Sequence, residues 1–149
     1  MWKLTPSERV VRWRDFRKTL DHLPLEQAIK AVAEFWHGCP FAPYYLDPEK
    51  PEEWPTPWEL ISENYYCDLA KALGMLYTLY FTAHGKDLDA EIRVYYDTET
   101  KFTYNLPVLA QGKYVVNLVD GEIVNIESIN KNLKLKYRFT STDLKLEEY

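Results

Sequence analysis

Glycine, cysteine and histidine are all scarce in this sequence, and each shortage excludes something. With 5 glycines in 149 residues, neither a GxGxxG nor a Walker pattern occurs, so the common phosphate cradles built from backbone N–H groups are absent. The 2 cysteines, Cys39 and Cys67, are too few for a disulfide framework, and neither lies in a CxxC or Cys/His spacing that would hold zinc. His37 and Cys39 are neighbours in sequence, but two ligands do not make a metal site. No apolar run reaches the length that spans a bilayer. The opening "MWKLTPSERVVRWRDF" lacks the apolar core of a signal peptide. These shortages predict a chain kept in a reducing cytoplasm, off the membrane, with no metal or cofactor.

What is abundant is aromatic surface. The chain holds 12 Tyr, 6 Phe and 5 Trp within a 46% hydrophobic composition, enough apolar mass for one core in a single domain spanning residues 1–149. The formal net charge of -5 argues against coating nucleic acid. Basic residues nevertheless gather before residue 19, and Arg9, Arg12 and Arg17 are the candidates for touching a phosphate backbone. The stretch from Asp47 to Asp68 is acidic. The carboxylate pairs Glu52-Glu53 and Glu147-Glu148 read as solvated.

Thr5-Pro6-Ser7-Glu8 predicts a helix start, with Thr5 at the N-cap, Pro6 in the first position and Glu8 completing a capping box. Val10, Trp13, Phe16, Leu20 and Leu23 recur at helical spacing, and Pro24 ends that helix. Leu25, Ile29, Val32 and Phe35 or Trp36 mark a second helix closed by Gly38, so residues 1–38 form a helical hairpin. Six of the nine prolines, Pro40, Pro43, Pro48, Pro51, Pro55 and Pro57, follow closely. They make residues 39–58 an irregular loop, whose Tyr44, Tyr45, Trp54 and Trp58 are candidate anchors for a protein partner.

Thr56-Pro57-Trp58-Glu59 repeats the capping chemistry, and Asn64 offers another N-cap for a buried helix running to His84 and Gly85 as its last turn and cap. The period then changes. "AEIRVYYD", "KFTYNL", "KYVVNLVDG", "EIVNIES" and "LKLKYRFT" alternate as strands, with Asp120-Gly121 as a hairpin turn. The expected fold is α+β: a helical hairpin, central buried helices over 59–85, and an antiparallel sheet of four to five strands over 86–140. Residues 141–149 form a tail or arm.

Cys67, in the first turn of a helix capped by Asn64, stands where a helix N-terminus favours a thiolate. A cysteine on a helix followed by an antiparallel sheet resembles the transglutaminase-like and papain-like arrangement. That resemblance covers about residues 60–130. It implies a His on a later strand and an Asp or Asn on the next. The later runs "KYVVNLV" and "EIVNIES" hold Lys113, Tyr114 and Asn117, but no imidazole. His84 lies seventeen residues along the same helix, about 25 Å away at 1.5 Å per residue. His22 and His37 precede the cysteine and could reach it only through the hairpin. Glu63 and Asp68 beside it favour the neutral thiol. Cys67 therefore reads as structural.

"RWRDFRKTLDHLPLEQAIKAVAEFWHG" and "WPTPWELISENYYCDLAKALGMLYTLYFTAHG" look like small uncharacterised proteins of tailed bacteriophages. That resemblance implies a virion or assembly component in the host cytoplasm, with other phage proteins as partners and oligomers open to it. The expectation from sequence is a non-catalytic interaction or structural protein. The alternative is a cysteine hydrolase or acyl transferase with Cys67 as nucleophile.

Overall fold

In the computed structural model, which describes residues 1–149, four helices precede the sheet. They are α1 (Pro6–Leu20), α2 (Leu25–His37), α3 (Pro57–Ile61) and α4 (Asp68–Tyr80). The strands are β1 (Ala90–Asp97), β2 (Thr103–Leu109), β3 (Tyr114–Val116), β4 (Ile123–Val124) and β5 (Leu133–Phe139), all antiparallel in the order β4-β3-β2-β1-β5. The α+β expectation holds, with five strands.

The helix α4 is apolar nearly all round because it is the centre of the molecule, with ten of its thirteen residues buried. One side meets α2 through Ile29, Val32 and Trp36. The other meets Ile92 and Val94 of β1, Leu109 of β2, Val116 of β3 and Phe139 of β5 in one core cluster. Gly74 allows the close approach of α2: a Cβ there would lie 2.4 Å from the Trp36 ring. The far face of the sheet has its own small core of Tyr95, Leu106, Val108 and Val115, covered by Leu118, Ile126, Ile129 and Leu133.

Several boundaries differ from the sequence expectation, each for a local reason. At α1 only half of the expected capping box forms, the Thr5 hydroxyl accepting from Glu8 N at 3.4 Å. The complete box is at α3, between Thr56 and Glu59. Helix α1 stops at Leu20, not at Pro24, and Pro24 instead caps α2. Asn64 does not cap α4. The chain before Cys67 is extended, with Tyr66 bridged to Phe41, so the helix starts only at Asp68 and Cys67 is its N-cap.

The C-terminal expectations need similar correction. Helix α4 ends at Tyr80, short of His84, and the Thr82 hydroxyl donates to Leu79 O at 2.6 Å as the chain turns away. Gly85 closes that turn against Tyr80, whose carbonyl oxygen would lie 1.8 Å from any added Cβ. "EIVNIES" pairs only over Ile123–Val124, because the Asn125 side chain accepts from Glu127 N and starts a helical turn. The Asp120-Gly121 hairpin is present, joining β3 to β4. Residues 141–149 are no free arm: Leu144 and Leu146 are buried in the main core and Tyr149 packs edge-on against Tyr77.

Candidate active site

Cys67 is placed by its predecessor. Tyr66 donates its backbone N–H to Pro40 O at 2.8 Å, accepts from Ala42 N at 3.0 Å, and sends its hydroxyl to Leu60 O at 2.7 Å. The backbone carbonyl of Cys67 then accepts from Lys71 N at 2.9 Å, beginning α4. The thiol thus sits at the positive end of a buried helix, on the wall of a cavity of about 210 Å³. It is 2% exposed and makes no hydrogen bond through sulfur.

The strand β2 forms the opposite wall. Thr103 and Asn105 are two residues apart and so project to the same side of the strand. Both line the Cys67 cavity, and both also line a larger cavity of about 710 Å³ that includes Asp68, the first residue of α4. Asn105 is 5% exposed, and its side-chain carboxamide makes no hydrogen bond within the protein. Its backbone oxygen accepts from Asn117 Nδ2 at 3.1 Å. Asn117 has a positive φ of 74°, which ends β3 and points the chain along the larger cavity.

Lys136 reaches the Cys67 cavity from β5. Val94 pairs with Tyr137 and Tyr95 with Leu135, so Lys136 is the extra residue of a β-bulge, a device that re-aims a side chain. Its ammonium stands 5.4 Å from the Tyr96 ring centroid.

No imidazole lines the cavity of Cys67. His37 borders the larger one, its Nδ1 3.9 Å from Asp120. His84 Nε2 meets Leu20 O at 3.1 Å, and His22 is exposed. Burial pushes the Cys39 thiol up to about 11, against the opposing pull of Lys71. Burial also raises the Asp68 carboxyl, with Lys71 opposing and Asp120 adding to the rise.

The predicted partner residues divide. Tyr44 is 74% exposed and lines the Cys67 cavity. Tyr45 is partly exposed, with its hydroxyl donating to Tyr65 O at 3.2 Å, and burial raises its pKa. Trp54 is not a free anchor: its indole donates to Asp47 O at 2.8 Å and its ring meets Phe139 at 4.8 Å, pinning the proline-rich loop to β5. Trp58 stacks on Phe81 at 5.5 Å. Among the predicted phosphate-binding arginines, Arg9 is buried and spends its guanidinium on the carbonyl oxygens of Trp2, Leu4 and Glu63. Arg17 lies over Trp13 at 4.3 Å, and only Arg12 is exposed. The three therefore present no common basic face.

Thr103, Asn105 and Lys136 were not singled out by sequence. The alternation in "KFTYNL" puts the first two on one face, which is the available signal. Nothing local marks the bulge at Lys136, because a bulge is a property of the pairing.

No protein-family model matches the sequence, and no curated protein does. Solved structures do match. Legionella pneumophila LapG aligns with a TM-score of 0.70 over 91% of this chain and 75% of its own, at 16% identity. Its calcium-bound form gives 0.72 over 93% and 78%, at 15% identity. The EGTA-treated form gives 0.70 over 91% and 74%, at 16% identity. The chain shares the fold of LapG. LapG is a calcium-dependent cysteine protease of transglutaminase-like/papain-like fold, so the resemblance in order of elements is a resemblance in fold.

The phage resemblance gains no support from LapG. The expectation of a non-catalytic interaction or virion protein is overturned by the LapG match. Sequence reasoning gave the missing imidazole more weight than the order of elements, and at this identity the order was the better guide to fold. LapG's calcium has no counterpart fit here. No three His, Cys, Asp or Glu side chains converge, and Asp120 is matched by Lys71 Nζ at 3.8 Å instead of a further oxygen ligand.

Proposed function

We propose that the chain is a cysteine acyl hydrolase or acyl transferase in which Cys67 is the nucleophile. One observation carries the reading: Cys67 caps the buried helix at the wall of a cavity faced by a sheet strand, in a chain that folds like a cysteine protease. The residue stands at the positive terminus of the helix, and Lys136 lines the same cavity. The sulfur adds to an acyl carbon, and the bond from that carbon to the amine or alcohol breaks. The leaving group departs with the proton the thiol has given up. Water or a second acceptor then takes the acyl group from the thioester and restores the thiol.

General acid–base help from a positioned side chain contributes about 10²–10⁴-fold, and no imidazole lines this cavity. Turnover slower by roughly that factor than in an imidazole-assisted site is expected. The test is thiol-specific. Intact protein is treated with iodoacetamide near neutral pH, and the two cysteines are followed by peptide mass spectrometry. Cys67 should label faster than Cys39, and p-nitrophenyl acetate should leave an acetyl group on Cys67 that is absent in Cys67→Ala. A Cys67 that stays unlabelled and unacylated while the protein is folded overturns the reading.

A further inference from the structure

Asn105 presents a polar side chain to both cavities and forms no bond within the protein through it. A carboxamide offers two donors and one acceptor with two lone pairs. That of Asn105 has no partner within the protein at 5% exposure, but Arg17 Nε is the only side-chain polar atom sealed from solvent without a bond, so the Asn105 carboxamide opens on the cavities and bonds to whatever fills them. Asn105 pairs with Val94 of β1, and its backbone carbonyl accepts from Asn117. The side chain lines both cavities at once, beside Cys67 in one and Asp68 in the other.

We infer that Asn105 is the residue that grips the substrate, binding a neutral amide group on the ridge between the two cavities next to the Cys67 sulfur. This rests on the thiol-acyl reading above and adds the chemical class of what is bound. Selection for an amide follows from satisfiability. An amide supplies both an N–H and a C=O, so it can meet the acceptor and a donor of Asn105 together. A carboxylate leaves Oδ1 facing another acceptor, and an ester offers no N–H. The larger cavity does not select for net charge, because Asp68 and Asp120 share it with Lys71 and His37, whereas Lys136 at the smaller one makes the free acid the stringent comparison. The remaining walls are apolar. Tyr44, Leu46 and Tyr137 flank the smaller cavity, while Phe41 and Phe102, 65% and 48% exposed, flank the larger. An apolar side chain on the substrate would cover them.

Binding can be measured without any chemistry at sulfur. Protein labelled with ¹⁵N, as wild type and as Cys67→Ala, is titrated with 3-phenylpropanamide, methyl 3-phenylpropanoate and 3-phenylpropanoate. The Asn105 side-chain NH₂ signal is assigned by its loss in Asn105→Asp. The amide should shift that signal and bind about tenfold tighter than the ester or the acid, in both proteins. In Asn105→Leu, of similar size, the preference should vanish. The comparison among ligands in wild type stands even if that variant fails to fold. Equal binding of the three ligands, or an amide preference that persists in folded Asn105→Leu, overturns the assignment. Because the titration needs no reactive thiol, an inert Cys67 in the alkylation test would sink the hydrolase reading without deciding this one.

Discussion

The Trp36 indole donates to the Thr78 hydroxyl at 2.9 Å, tying α2 to α4. Trp13 of α1 donates to the same oxygen at 2.9 Å, and the hydroxyl in turn donates to Gly74 O at 2.6 Å. One buried hydroxyl therefore satisfies two indoles from two other helices and is itself satisfied. Thr78→Val keeps the shape and orphans both N–H groups. At about 1–3 kcal/mol for each unpaired buried donor, the two together should cost roughly 2–6 kcal/mol. Thr78→Ser keeps the oxygen and should cost about 1 kcal/mol or less for the lost methyl. Urea unfolding of the two variants decides the point, and a Thr78→Val protein as stable as wild type would remove this junction from the account.

Alkaline pH should loosen the fold in a way that Cys39 reports. Burial, partly opposed by Lys71, raises its thiol from the ordinary 9.0 to about 11. A folded pKa above the unfolded one means that stability is fully present below about 9 and is lost as pH rises to about 11, since only the unfolded chain has released the proton in that window. The loss attributable to this group is up to roughly 2 kcal/mol. Tyr45, Tyr66 and Tyr77, also raised by burial, add to the same limb. The difference in slope between wild type and Cys39→Ala isolates the thiol. Parallel slopes across that window would show that Cys39 titrates as it does in the unfolded chain.

The order of elements was legible in the sequence because it depends on local period. Val32 and Trp36 on one helix, the apolar run from Leu69 to Leu79, and the alternation from Leu133 to Phe139 each declare their element without knowledge of a partner. Boundaries were less legible wherever a distant contact sets them. Tyr66 is held extended by Phe41, twenty-five residues earlier, which moved the start of α4 from Asn64 to Asp68. The site was the least legible part. Cys67 could be named from its place before a helix, but Asn105 becomes notable only when its side chain is seen to lack a partner. Lys136 becomes notable only when β5 is paired with β1. The tail misled for a related reason: Leu144 and Leu146 are too few to show a period, yet both enter the core.

Lys136 gives the sharpest electrostatic test of the Cys67 cavity. As the bulged residue of β5 it lines that cavity while remaining exposed, so changing it should disturb the reaction and not the fold. A cation lining the cavity attracts an anionic reagent, an effect of about 1 kcal/mol for unit charges 4 Å apart in water, or about fivefold in rate. Iodoacetate carries a charge that iodoacetamide lacks, so the ratio of their rates at Cys67 measures the local field separately from access. Lys136→Gln should lower that ratio by about fivefold at low salt, Lys136→Arg should preserve it, and added salt should shrink the difference between the two variants. A ratio unmoved by Lys136→Gln, in a protein with unchanged circular dichroism, would show that the ammonium does not act on the sulfur.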